Sequence, residues 1–156
     1  MDSQQLTAIL AYQNEDIIYR FTNMMNVTED EAQDIFTETK KFLYLSLLPG
    51  IFIPDELLIL DEMWHNFILF TREYHAFCET NFARFLHHQP ATKAEKLQHK
   101  ELLVTDKDAA QSAFTAKLER VISTTYDHFG DDTVIKWFHT YPAIYSPENI
   151  KNLRKI

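Results

Sequence analysis

Asp61 and His65 stand one helical turn apart in the run Leu58-Ile-Leu-Asp-Glu-Met-Trp-His-Asn-Phe-Ile-Leu69, with Trp64 beside the histidine. At helical spacing a carboxylate and an imidazole at i and i+4 stack on one face, where they can share a proton, a metal ion or a buried water. The same segment continues through Tyr74, His75, Cys78, His87 and His88, which adds further ligand types for a divalent metal ion. The candidate polar site is Asp61, Trp64, His65, Tyr74 and His88; the candidate metal ligands are Asp61, His65, His75 and His88. Tyr74 enters because a buried phenol needs an acceptor, and Asp61 or His65 is placed to supply one. Of the pair His87-His88, neighbours on a helix point about 100° apart, so at most one turns inward, and His88 is the choice.

The bland alternative is that His65 donates to Asp61 at the edge of the core, packs beside Trp64 and performs no chemistry. No Cys-x-x-Cys or His-Glu-x-x-His pattern strengthens the metal reading. Glu62-x-x-His65 has the form of the helical ligand pair of di-iron bundles, but that centre needs a second copy. The residues three before the other histidines are Arg72, Arg84, Phe85, Lys96, Thr125 and Lys136, so none supplies it. Cys78, between Phe77 and Phe82, reads as a small buried hydrophobe rather than a thiol activated by His75.

The elements that would hold these residues are helices. With 156 residues the chain fits one domain, 1–156, and two glycines and five prolines are too few turn formers for a many-stranded sheet protein. The expectation is an all-α domain of five to six helices, with the segment from Pro54 to Leu69 at its centre. A first helix should run from Ser3 to about Met25, and a second should open at the capping box Thr28/Glu31 and stop at Pro49-Gly50. Thr71 offers an N-cap at which the central helix either breaks or runs on, and the residues leave both open. Residues 91–105 read as a short exposed helix or a connection, with a second box pattern at Thr92 and Glu95. A long helix from Thr105 or Asp106 should close at Gly130, and a last one from Asp131 or Asp132 should stop at Pro142.

A formal net charge of -8 argues against a nucleic-acid partner. The longest apolar run, broken by Pro49-Gly50, falls short of the ~20 residues of a membrane span. One cysteine and no recognisable secretory signal lead to the expectation of a cytoplasmic protein.

The order Asp61-x-x-Trp64-His65, then Leu69, Tyr74, Cys78, Phe82 and His88, resembles the glycine-rich domain-containing protein-like domain, a domain of unknown function. The likeness covers roughly residues 31–90 and, more loosely, 126–137. It departs at Phe70-Thr71, where that family tends to have a proline, and at Ala83, where it often has a glycine. The glycine-rich tail of plant members has no counterpart here. The resemblance implies a helical domain with a shared polar cluster and picks out His88; it implies no activity.

Two functions follow as expectations. One is a polar or metal-binding site around Asp61 and His65, with a divalent ion as its cofactor. The other is an acidic protein-interaction module, binding or inhibiting a protein partner, in which the same residues only hold the core. Whether the protein is an enzyme is not decided by the residues.

Overall fold

Asn14, Thr28, Thr92, Asp106 and Ser146 set the frame of the chain. Each stands in non-helical backbone, and its side-chain oxygen accepts a hydrogen bond from an amide in the first turn of the helix that follows. In the computed structural model, which describes residues 3–155, the helices are α1 (Ser3–Ala11), α2 (Glu15–Met24), α3 (Glu29–Leu45), α4 (Leu58–Leu69), α5 (Thr71–Phe82), α6 (Lys93–Thr105), α7 (Lys107–Ile135), α8 (Tyr141–Ile144) and α9 (Pro147–Leu153). A 3-10 turn, Asp55–Leu57, leads into α4, and a π turn, Lys136–Thr140, joins α7 to α8. The architecture is all-helical, as composition implied, but divided more finely than five to six helices.

The extra divisions have local causes. The expected first helix is two, because the Asn14 side chain accepts from the amides of Asp16 and Ile17 and starts a new helix there. Glu15 and Asp16 then sit in its first turn, where negative charge suits the helix dipole. Between α4 and α5 the chain breaks at Phe70 (φ -85°, ψ 68°), with no side-chain cap from Thr71. Gly130 adopts φ 82° and interrupts α7 where a C-cap was expected, and the helix resumes directly after it. Pro142 does not end the last helix: it lies in the first turn of α8, where the N–H it lacks is not needed.

The apolar core lies between α3 and α4, with α1 and α2 packed on α3 and α5 on α4. Phe36, Phe42, Trp64, Phe67, Tyr74 and Phe77 make edge-on and tilted ring contacts through it. Asn66 ties α4 to α2, donating to the Ile17 carbonyl at 2.9 Å and accepting from Arg20 at 2.7 Å.

Two buried charges depend on partners far away in the chain. Lys40, 2% exposed, donates through Nζ to the carbonyls of Leu10 (3.0 Å) and Tyr12, so a cation closes the C-terminal end of α1. Glu38, also 2% exposed, accepts from Trp137 Nε1 at 3.0 Å and pairs with Lys41 at 3.0 Å. Beside it Asp34 accepts from the Tyr141 hydroxyl at 2.7 Å and pairs with Lys136, and Glu31 accepts from Tyr145 at 3.3 Å. One face of α3 is thereby clasped by the π turn and α8. Burial and these carboxylates push the Tyr145 phenol up to about 12 and that of Tyr141 higher still.

Ala83 caps α5 in the left-handed region, φ 55°, a conformation that costs a residue with a Cβ about 1 kcal/mol. Ala83→Gly should therefore raise the unfolding free energy by about 0.5–1 kcal/mol in urea titrations. Burial pushes the Lys40 ammonium down to about 8 from 10.5. Between those values the unfolded chain holds more protons than the folded one, so stability rises with pH across that window. From about pH 8 to about pH 10 the protein should gain on the order of 2 kcal/mol relative to a Lys40→Met variant, read from urea unfolding at each pH.

Candidate metal centre

Asp61 lies in the first turn of α4, His65 one turn later, and His88 in the irregular segment between α5 and α6. The chain reaches His88 because α5 ends at Ala83 and the segment after it is irregular, with Pro90 disfavouring helix at Gln89. The Asp61 carboxylate has a histidine at each oxygen. Oδ1 lies 2.8 Å from His88 Nε2, and Oδ2 lies 3.6 Å from His65 Nδ1. One ligand atom from each residue falls within 4.8 Å of the others.

The three differ in exposure. The His88 and Asp61 side chains are 16% and 22% exposed, whereas that of His65 is 57% exposed. His88 is held flat against Trp64, ring centres 4.0 Å apart and planes 15° from parallel. Its ring also lies 4.7 Å from that of His65. The histidine that packs on Trp64 and stands nearest the Asp61 carboxylate is thus His88, whereas local spacing offered His65 for that role.

Trp64 is itself fixed from behind. Its indole N–H donates to the Tyr74 hydroxyl at 3.0 Å, and that hydroxyl donates to the Leu86 carbonyl at 2.6 Å. Tyr74 therefore meets neither Asp61 nor His65, as spacing had suggested; its acceptor is a backbone carbonyl two residues before His88. Burial pushes its phenol well above the ordinary range, so it stays a donor. His75 is exposed on α5 beside Phe85 and is not among the ligand atoms brought together. His87 is exposed as well, edge-on to Phe85. Cys78 is fully buried, and burial raises its thiol pKa. Glu62 turns to another task, an ion pair with Arg154.

The triad lies in a cleft of about 950 Å³, lined also by Ile51, Phe52, Ile53 and Leu58 and by Glu95 of α6. Spacing did not mark these apolar residues as part of a site, since they look like the end of a core run. The turn that sends them here is Gly50, with φ 81°, where a Cβ would stand 2.9 Å from Arg120 Nε.

Residues 9–107 match the UCP032817-like family. The chain belongs to that family. Asp61, Trp64, His65, Tyr74 and His88 all lie inside the UCP032817-like span, and the clasp residues Lys136, Trp137 and Tyr141 lie beyond it. The UCP032817-like family is itself uncharacterised, and no curated protein and no solved structure matches the chain. No helix among the described residues is long and apolar enough to cross a membrane.

Tyr74→Phe removes the hydroxyl that pairs two buried groups at once, the indole N–H and the Leu86 carbonyl. The expected loss is roughly 2–4 kcal/mol of unfolding free energy in urea, well beyond that of an exposed Tyr19→Phe control.

Proposed function

We propose that Asp61, His65 and His88 bind a divalent transition-metal ion, leaving coordination positions open to the cleft. The observation that carries this is the convergence of one carboxylate and two imidazoles, from two separate segments, within 4.8 Å. Ligands about 2.0–2.2 Å from a tetrahedral ion stand about 3.3 Å from each other. The Asp61–His88 separation of 2.8 Å is shorter than that and the Asp61–His65 separation of 3.6 Å, at the other carboxylate oxygen, is longer. Binding an ion therefore parts His88 from Asp61 and draws His65 in.

His88 Nε2 and Asp61 Oδ1 face each other at 2.8 Å where the ion would sit, so metal binding would replace their mutual contact. Two imidazoles and a carboxylate are the donor set of hydrolytic zinc sites and of iron(II) sites with open positions. Such an ion acidifies a bound water or polarises a bound carbonyl. Of this chain's own residues, Trp64 orients His88, and Tyr74 orients Trp64. That division of labour is the outer-shell support that metal sites require. It also gives Asp61, Trp64, His65, Tyr74 and His88 one connected purpose, which supports kinship with the glycine-rich domain-containing protein-like domain. The single cysteine, buried, fits a reducing compartment such as the cytoplasm.

The interaction-module reading also has an observation behind it: α6 has no buried residue, and Leu97 and Val104 on it are 54% and 86% exposed. One titration separates the two. Untagged protein titrated calorimetrically with Zn²⁺, and with Co²⁺ followed by absorption, should bind one equivalent. His88→Ala and Asp61→Ala should each weaken binding by at least about 100-fold, with helicity retained by circular dichroism, and His75→Ala should leave it unchanged. Absence of stoichiometric binding by the wild type would overturn the metal reading and leave the interaction module standing.

A further inference from the structure

The cleft has a second character besides its triad. After Gly50 the chain runs without helix through Ile51-Phe52-Ile53, and these residues, with Leu58, are only partly buried while lining the same cleft as Asp61, His65 and His88. Phe52 is braced edge-on by Phe114 of α7, ring centres 6.3 Å apart, and Ile51, Ile53 and Leu58 pack on the core from its margin. Three consecutive apolar side chains in irregular backbone, held in place and left partly uncovered, form an apolar wall beside a polar end. A cleft of about 950 Å³ is within the size range of small-molecule sites, which pair apolar walls with a few polar anchors.

Charge narrows the occupant. A dication with one carboxylate and two neutral imidazoles keeps one positive charge, which favours a monoanionic oxygen head. Glu95 lines the cleft as well, and its carboxylate disfavours a second anionic group on the ligand. We propose that the cleft binds acyl-chain monocarboxylates, with the head at Asp61–His65–His88 and the hydrocarbon along Ile51, Phe52, Ile53 and Leu58. The position of the head rests on the metal reading; the wall does not.

The test is a calorimetric series of acetate, butyrate, hexanoate and octanoate, with suberate as the dicarboxylate, against zinc-loaded and metal-free protein. Affinity should rise about two- to four-fold per methylene, so octanoate should bind at least about 50-fold more tightly than acetate. Suberate should bind at least about ten-fold more weakly than octanoate. Leu58→Gln, and independently Ile53→Gln in case the first does not fold, should flatten the chain-length dependence and, adding no charge beside the ion, leave zinc affinity unchanged. Equal binding of acetate and octanoate in both states, or a dependence that survives both folded variants, would overturn the proposal. If the protein takes up no zinc, the metal reading fails by itself. A chain-length preference in the metal-free protein would then still uphold the wall, and its absence would overturn that too.

Discussion

Everything at the candidate centre depends on one phenol with two partners. The Tyr74 hydroxyl takes the Trp64 indole N–H and gives its own proton to the Leu86 carbonyl. A buried polar group left without a partner costs about 1–3 kcal/mol, so this arrangement binds three segments into one geometry: α5, α4 and the irregular chain before α6. It fixes the plane of Trp64, and that plane fixes the face on which His88 lies. It also fixes the backbone two residues before His88, so the imidazole is located from both its stacking partner and its chain. Asp61 then needs only its place on α4 to meet it.

The two sides of the core handle polar groups differently. Towards the cleft the carboxylate of Asp61 is partly open to water and shared between two histidines, an arrangement that exchanges partners easily. On the α3 face turned to the π turn, Glu38 is closed in and engaged by Trp137 and Lys41, and Tyr141 is tied to Asp34. Breaking the contacts of Glu38 leaves an unmatched charge in a poorly solvated place, so they hold a shape rather than perform a reaction. Two carboxylates, Glu38 and Asp61, thus serve different ends, and water access separates that pair.

What could be read from the residues follows the range of each interaction. The box at Thr28 and Glu31 is settled within a few residues, and local reading placed it; the same reading left open whether the helix breaks near Thr71, and the break is made at Phe70. Asn14 was legible in principle, an N-cap type followed by two acids, but the apolar rhythm on either side of it outweighed it. Pro142 misled because the π turn before it changes which amides need partners. Asp61 and His65 were visible as a one-turn pair; His88 rested chiefly on the family likeness, since its meeting with Asp61 closes a loop that no periodicity encodes. The partner of Tyr74 was out of reach for a simpler reason: a backbone carbonyl has no letter in the sequence. Glu38 and Lys40 look like solvated charges on an amphipathic helix because Trp137 and the carbonyls of Leu10 and Tyr12 are remote in sequence.

The clasp on α3 limits how the unit can be divided. The stretch that marks kinship stops at residue 107, yet Trp137, with none of its surface in water, fills the space against Phe42, 5.9 Å between ring centres. An excised piece ending at the kinship boundary would open a hole the size of an indole and strand the carboxylate of Glu38 in it. Shared ancestry and autonomous folding therefore have different borders in this chain, and the later one is structural.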